Sequence, residues 1–441
     1  MSMTSDLPSL DSTTDVAAWL RKLADIAVTA VHPDSLIPDL LPDPPPGRTV
    51  VVGAGKAAAS MAAALERTWQ ARCPDAPLSG LVVTRYGHGS HGQAAECGLV
   101  EVLEASHPMP DDLGEKAARR MLEAVEGLAE EDRVIALISG GGSALMTLPA
   151  EGISLADKQA INRELLRCGA PIGQMNTVRR HLSAIKGGRL AAAAHPAQVV
   201  TWLISDIPGD VATQIASGPT LPDRSTPADA LRVLERYAIE VPAHVRQHLE
   251  RDRSAPSPDD EAFERDDSVI LARAHDALDA ARQAAEAVGV TVRVLGDDLE
   301  GEARELGRAQ ARMALEAREE TDAPLLILSG GETSVTVRGE GRGGRNVEYL
   351  LGLFGALEGE PGIHALAIDT DGIDGSEDNA GALFAPDDWA RAREQGLEPD
   401  DYLSRNDAYT FFETLDRLIV TGPTRTNVND FRAILVLPRT P

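Results

Sequence analysis

The stretch that decides the fold is ALISGGGS at residues 136–143, and a close counterpart, LILSGGET, occupies residues 326–333. Each is a short apolar run that stops at Ser-Gly-Gly. An apolar run of this length, bounded by glycine, indicates a buried strand of a parallel sheet. Glycines beyond such a strand let backbone N–H groups approach a ligand closely, and ligands of open α/β sheets bind outside the carboxyl ends of the strands. The pair therefore predicts two lobes, each with a loop suited to an anion.

Strand and helix patterns alternate around both stretches. This βαβα rhythm indicates a doubly wound, Rossmann-like parallel sheet in the first half and a second α/β domain after it. A stretch rich in Pro, Asp, Arg and Ser separates them. We predict an N-terminal domain at residues 1–225, linker helices at 226–267 and a C-terminal α/β domain at 268–441. Finer predictions are a helix at residues 14–31, a hairpin at 333–338 and two strands around a loop at 421–429.

Composition limits the classes of function. The chain has 441 residues, 43% of them hydrophobic, and a formal net charge of −27. That charge disfavours binding to nucleic acid or to an anionic membrane. No apolar run is long enough to span a membrane, residues 1–11 lack the features of a signal peptide, and the three cysteines form no disulfide or metal pattern. We therefore expect a cytoplasmic monomer or homodimer that acts on small molecules.

Lysine is scarce, which makes each lysine informative. The chain has only Lys22, Lys56, Lys116, Lys158 and Lys186, and every other basic residue apart from histidine is arginine. No lysine follows residue 186. Phosphate chemistry in the second half must therefore use arginine, a metal ion or backbone N–H groups.

The segment Gly53-Ala54-Gly55-Lys56-Ala57-Ala58 follows a predicted strand and opens a predicted helix. It matches G-x-G-x-x-A, the dinucleotide-binding fingerprint, which also requires an acidic residue at the end of the next strand. That strand ends in Arg85 instead. A helix start that carries Lys56 remains a good anion site. The alternative is a solvated lysine beside glycines that only turn the chain.

Three further features of the first lobe carry candidate site residues. The run from Ser139 through Gly140, Gly141 and Gly142 to Ser143 can form a nest of N–H groups for a carboxylate or phosphate, or serve as a packing turn. It lacks the last glycine of an esterase nucleophile elbow. Asp206 follows a predicted strand, which suits a general base or metal ligand, or else an Asx-turn. His107 follows another strand and is either structural or catalytic.

The second lobe has its own polar loops. Arg345 lies in a Gly-Gly-Arg-Asn segment at a predicted helix start, where a guanidinium can bind phosphate or carboxylate with two prongs. Residues 369–375 resemble the start of a calcium loop but have Ala380 in place of its final glutamate. Carboxylates after a strand, such as Asp371, instead suit hydrated magnesium or a ribose. Residues 421–427 form one more glycine-containing polar loop.

Taken in order, these segments resemble the glycerate 2-kinase family, whose C-terminal part is called the MOFRL domain. The matching strings are residues 51–58, 106–110, 137–144, 176–190, 205–210, 217–220, 328–333, 343–348, 367–379 and 421–427. The resemblance implies phosphorylation of D-glycerate at its 2-hydroxyl to 2-phosphoglycerate, with ATP as donor and Mg²⁺ as divalent cation, in a cleft between two lobes. Some members carry the label hydroxypyruvate reductase. An NAD(P)H-dependent reductase is therefore the alternative, and a non-catalytic anion-binding protein is a third.

The resemblance also implies roles for individual residues. Lys56 and Arg345 are expected to be catalytic cations, and Asp206 a base or metal ligand near the substrate hydroxyl. The residues expected to bind the acceptor are Ser139, Gly140, Gly141, Gly142, Ser143 and His107. Those expected to line the nucleotide are Gly53, Gly55, Ser329, Gly330, Gly331, Glu332, Thr333, Asp371, Asn379 and Asn427. The expected metal ligands are Asp206 and Asp371.

Overall fold

The computed structural model describes residues 7–11, 13–89, 98–252 and 254–439. The chain divides into two compact units. The first unit is Pro33–Leu271, and the second unit joins Met1–His32 to Ala272–Pro441. Within the described ranges, no helix has both the length and the apolar character needed to cross a membrane.

Helices and strands alternate over much of the chain, but α5–α8 and α14–α16, as numbered below, follow one another without an intervening strand. The helices are α1 Val16–Ala30, α2 Pro33–Leu36, α3 Ala58–Arg72, α4 Asp112–Val125, α5 Gly142–Leu145, α6 Leu155–Arg167, α7 Ile172–His181, α8 Arg189–Ala194, α9 Pro227–Arg236, α10 Ala243–Arg251, α11 Ala274–Ala287, α12 Ala303–Glu320, α13 Arg345–Leu357, α14 Asp388–Glu394, α15 Pro399–Ser404 and α16 Ala408–Thr414. The strands are β1 Thr49–Ala54, β2 Leu78–Arg85, β3 Val100–Ala105, β4 Arg133–Ile138, β5 Gln198–Ile204, β6 Asp267–Ala272, β7 Thr291–Val294, β8 Leu325–Ser329, β9 Ile363–Asp369, β10 Gly381–Phe384, β11 Leu418–Ile419 and β12 Asp430–Val436.

The first unit contains a six-stranded sheet in the order β3-β2-β1-β4-β5-β6. The pairs β1–β2, β1–β4, β2–β3 and β4–β5 are all parallel. Strand β1 is buried along its whole length, and it packs with Met121 of α4 and Leu190 of α8 in one apolar core. The predicted doubly wound sheet is thus confirmed. Its order reverses between β1 and β4, which is where ligands of such sheets bind.

The second unit contains a mixed six-stranded sheet in the order β11-β10-β9-β12-β8-β7. Strand β12 lies between β8 and β9 and is antiparallel to both. The carboxyl ends of β8 and β9 therefore meet the first residues of β12 at one edge, where Ser329 pairs with Arg432 and Asp369 with Asp430. Sequence patterns predict the α/β class of this unit, and the antiparallel pairings of β10 and β12 make its sheet mixed.

The two compact units differ from the predicted domains at two places. Helix α1 belongs to the second unit, where the Thr426 hydroxyl donates to the carbonyl of Val31 at 2.7 Å. The helices expected in the linker, α9 and α10, are present but share an apolar core with Val178 of α7 in the first unit. The domain limits drawn from the sequence remain a prediction.

The predicted hairpin at residues 333–338 is wrong. Ser334 instead forms an isolated parallel bridge with Glu302, and the described residues between β8 and β9 include no strand. The two strands predicted around the loop at 421–429 are present as β11 and β12.

Two glycines let α12 and α13 approach each other closely. A Cβ built on Gly307 of α12 would overlap the carbonyl oxygen of Tyr349, and one on Gly352 of α13 would overlap that of Arg304. Glycine inside a helix usually costs about 1 kcal/mol relative to alanine, so close packing must offset that cost here.

We predict that Gly307→Ala lowers the midpoint of thermal unfolding, with a loss of about 1–3 kcal/mol from overpacking. The control is Gly173→Ala in α7, because a Cβ there meets no atom within 4 Å and alanine favours the helix. Differential scanning calorimetry checks both variants. A gain in stability from Gly307→Ala would contradict the packing argument.

Candidate active site

The loops after β1 and β4 are bonded into one structure at the carboxyl edge of the first sheet. The backbone N–H of Lys56 donates to the carbonyl of Gly140 at 2.9 Å, and the N–H of Ala57 donates to the hydroxyl of Ser139 at 3.0 Å. The N–H of Ser139 donates to the carbonyl of Ala54 at 3.0 Å. The Gly-rich loop of residues 139–143 therefore lies directly beside the start of α3.

The glycines of the G-x-G-x-x-A segment are required by this packing. A Cβ built on Gly53 would overlap the carbonyl of Leu137, and one built on Gly55 would overlap the hydroxyl of Ser139. The N–H groups at the start of α3 that would face a pyrophosphate are already bonded to the neighbouring loop. Packing against the neighbouring loop is therefore enough to require glycine at these positions, with no dinucleotide bound. The nucleotide-binding roles of Gly53 and Gly55 remain a prediction.

Three of the predicted site residues converge on Gly140 and Gly141. A Cβ built on Gly140 would overlap the carboxylate of Asp206, so that carboxylate occupies the space of the missing side chain. A Cβ built on Gly141 would lie 3.2 Å from Cδ2 of His107 and 3.4 Å from Cγ of Lys56. All three side chains are partly exposed. The structure therefore brings together a lysine, a histidine and an aspartate from different strand ends.

A chain of polar side chains leads inward from Ser143. Its hydroxyl lies 2.7 Å from the hydroxyl of Ser217, which donates to Oδ1 of Asn176 at 3.0 Å. Ser217 and Asn176 lie in two of the strings that resemble the kinase family, but the sequence assigned them no role. Nothing in the sequence marked either residue beyond its place in those strings.

In the second unit, Arg345 is surrounded by carboxylates at the edge where β8, β9 and β12 meet. Its guanidinium lies 2.8 Å from Glu332, Asp369 and Asp430 alike. Burial disfavours the charged guanidinium, but the three acids outweigh that effect and hold the pKa of Arg345 above its usual range. The expected cation is therefore held in place by three acids, of which the sequence had singled out only Glu332.

Asp374 caps α13 from outside the helix. Its carboxylate accepts from the N–H of Asn346 at 3.0 Å and from that of Val347 at 2.9 Å. A Cβ built on Gly344 would overlap this carboxylate, which explains the glycine before Arg345. Asp374 is fully buried, and burial raises the pKa of its carboxyl to about 6 against the lowering effect of the two N–H donors. The cap fixes the first turn of α13 and with it the position of Arg345.

The other predicted residues of the second unit are part of its internal hydrogen bonding. Buried Arg432 donates to the carbonyl of Gly330 at 2.8 Å and to the hydroxyl of Thr333 at 3.3 Å. Asp371 accepts from the N–H of Ile373 at 2.8 Å. Asn379 donates to the carbonyl of Gly381 at 3.1 Å, and Asn427 accepts from the N–H of Asn429 at 3.4 Å. Their binding roles remain predictions. Gly331 has a φ of +104°, which favours glycine at the turn after Ser329.

Two family models match the chain. A family model described as "Domain of unknown function (DUF4147)" matches residues 19–250, and the MOFRL family model matches residues 325–430. The chain is 39% identical to D-glycerate 2-kinase of Thermotoga maritima, over 93% of this chain and 97% of that protein. It is 51% identical to an Agrobacterium vitis protein named "Putative hydroxypyruvate reductase", over 95% and 94% of the two chains.

A solved structure has the same fold. The crystal structure of glycerate kinase from Thermotoga maritima superposes with a TM-score of 0.85 at 36% identity. The match covers 96% of this chain and 99% of that one.

Asp374 supplies a prediction about pH. Because its folded pKa of about 6 lies above the ordinary value of 3.8, the folded state binds the proton more tightly, and stability gains as the pH falls through 6. Wild type should therefore gain stability relative to Asp374→Asn between pH 7 and pH 5. Asp430 and Arg345 also act on this carboxyl, so the readout is the difference between the two proteins' unfolding midpoints.

The exposed Asp401→Asn variant of the same unit is the control for the removal of one surface carboxylate. If wild type and Asp374→Asn differed in unfolding midpoint by the same amount at pH 7 and at pH 5, the raised pKa of Asp374 would be wrong.

Proposed function

The chain belongs to the glycerate 2-kinase family, and we propose that it transfers the γ-phosphoryl group of ATP to the 2-hydroxyl of D-glycerate, with Mg²⁺ bound. The observation that carries the proposal is the convergence of Lys56, His107 and Asp206 on Gly140 and Gly141. Phosphoryl transfer needs positioning and charge neutralisation rather than a covalent intermediate. A lysine and an aspartate against one glycine loop can supply both.

We assign the acceptor to the first unit. Lys56 provides a positive charge at the glycine loop, where the carboxylate of the acceptor would bind. Asp206 would accept the proton of the 2-hydroxyl. The hydroxyl oxygen forms the new bond to phosphorus as the bond from phosphorus to the bridging oxygen of ATP breaks, and Asp206 receives the proton.

We assign the nucleotide to the second unit, at the edge where β8, β9 and β12 meet. Carboxylates outnumber cations there, since Glu332, Asp369 and Asp430 all surround Arg345. Such an edge would repel a bare anion but suits a nucleotide that carries a divalent cation. Arg345 would exchange a carboxylate for a phosphate oxygen in the reacting complex.

The residues present fit a magnesium ion that phosphates help to hold. No group of three or more His, Cys, Asp or Glu residues able to hold a metal is found within the described ranges. Mg²⁺ is usually bound through one or two carboxylates and substrate phosphates, so a protein cage is not required. Asp206 fits a single ligand of this kind, whereas Asp371 is buried and bonded to its own loop. When bound, the ion neutralises charge on the phosphates.

The reductase alternative is disfavoured by the first unit. Strand β2 ends in Arg85, where a dinucleotide fold places an acid for the ribose. The N–H groups of Lys56 and Ala57 are bonded within the protein. We expect no oxidation of NADH or NADPH with hydroxypyruvate.

The direct test is ADP release that depends on D-glycerate and Mg²⁺. We predict that Lys56→Met lowers kcat by roughly 10³-fold with an unchanged unfolding midpoint, because it removes a transition-state cation. Arg345→Lys should also lower kcat severely, since lysine keeps the charge but loses the two-pronged fork. A steady-state coupled assay measures both.

The matched controls are Lys116→Met and Arg342→Met. Lys116 is exposed, and Arg342, from the same Gly-rich segment as Arg345, pairs with Glu377 near solvent. Both controls should keep near-normal kcat. No ADP release from the wild type with D-glycerate under varied divalent metals would rule out the proposed function, and full activity in Lys56→Met would rule out the site.

A further inference from the structure

Residues 176–190, which have no part in the proposed phosphoryl transfer, contribute to a group of three basic side chains, two of them buried and one half-buried. We call Lys158, Arg179 and Lys186 the inner cation cluster. Lys158 lies on α6 and is 9% exposed, whereas Lys186 follows α7 and is 1% exposed. Two of the five lysines of this chain are therefore buried in the first unit, in a protein of net charge −27.

Among the residues that the structure describes, no carboxylate is hydrogen-bonded to the inner cation cluster. Arg179 donates to neutral side chains, namely Oδ1 of Asn162 at 2.7 and 2.9 Å and Oδ1 of Asn176 at 3.2 Å. Lys186 donates to the carbonyl of Met146. The ammonium of Lys158 has no hydrogen-bond partner in the described part of the chain.

One acid acts on the cluster from farther away. Glu115 on α4 favours the charged form of Lys158, but Glu115 itself pairs with Arg119 at 3.1 Å. Burial, together with Arg179 and Arg189, lowers the pKa of Lys158 to about 7, and burial lowers the pKa of Arg179 to about 10. A buried charge without a partner destabilises the folded protein. An arrangement of this kind is stabilised when an anion binds to it.

The cluster adjoins the loop that we assign to the acceptor. Arg179 and Ser217 both donate to Oδ1 of Asn176, and Ser217 contacts the hydroxyl of Ser143. Lys186 binds the carbonyl of Met146, directly after α5, the short helix that contains Ser143. The inner cation cluster is thus linked to the Gly-rich loop by two independent routes.

We propose that the inner cation cluster forms an oxyanion site, next to Ser143 and Ser217, that takes the carboxylate of the acceptor. This rests on the proposed function for the identity of the acceptor, but not for the existence of the site. A phosphate group has the same oxyanion chemistry, and the choice of ligands in the experiment separates the two.

The test uses Lys158→Met and Arg179→Met, with the exposed Lys116→Met as control. Each cluster variant should raise KM for D-glycerate about 10- to 100-fold, as expected for loss of a hydrogen bond to a charged group, with a smaller change in kcat. Removing an unpaired buried charge should leave the unfolding midpoint of Lys158→Met unchanged or higher. A purely structural lysine would lower that midpoint and leave KM unchanged.

Thermal shifts with D-glycerate, glycerol and inorganic phosphate identify the anion. Stabilisation of the wild type by D-glycerate but not by glycerol, and its loss in Lys158→Met, supports the carboxylate site. Stabilisation by phosphate alone overturns that assignment.

If the wild type is inactive with D-glycerate, the proposed function fails, and the site is judged by phosphate alone. A phosphate shift that is lost in Lys158→Met then supports an oxyanion site, and one that persists overturns it. Unchanged KM and unchanged shifts in both variants also overturn it.

Discussion

The contact between a carboxylate and a glycine backbone is the constraint on which both Gly-rich loops depend. Asp206 occupies the side-chain space of Gly140 in the first unit, and Asp374 occupies that of Gly344 in the second. Neither glycine has a positive φ, so volume rather than backbone freedom is what requires glycine at these two positions. Each contact places an acid at a strand end or helix start, beside the cation on which the proposed chemistry relies.

The two units differ in the charge that they offer to a ligand. Lys56 and Arg179 carry positive charge near the Gly-rich loop of the first unit, although the chain as a whole carries −27. In the second unit Arg345 is outnumbered by the acids that hold it. A bare carboxylate suits the first and a metal-bound nucleotide the second, because each ligand then opposes the charge it meets. The net charge of a chain therefore says little about either site.

Local sequence was sufficient to predict where the buried strands end, but not which distant strands and side chains contact those ends. The apolar runs before Ser139 and Ser329 predict buried strands because few other arrangements bury such a run next to glycines. The insertion of β12 between β8 and β9 depends on long-range pairing, which spacing does not encode. The acids around Arg345 come from segments separated in the chain, so Asp369 and Asp430 were missed. Lys158 and Arg179 likewise come from separate helices. In the sequence, Lys158 stood out only because lysine is scarce, and Arg179 only because it lies in the string at residues 176–190.

The most direct measurement of the central claim is a double-mutant cycle on Gly140 and Asp206, followed by thermal unfolding. If the glycine exists to admit the carboxylate, Gly140→Ala should lower the unfolding midpoint of the wild type but have little effect in an Asp206→Ala background. The added methyl group would then fill the space left by the missing carboxylate. An equal loss from Gly140→Ala in both backgrounds would contradict the account.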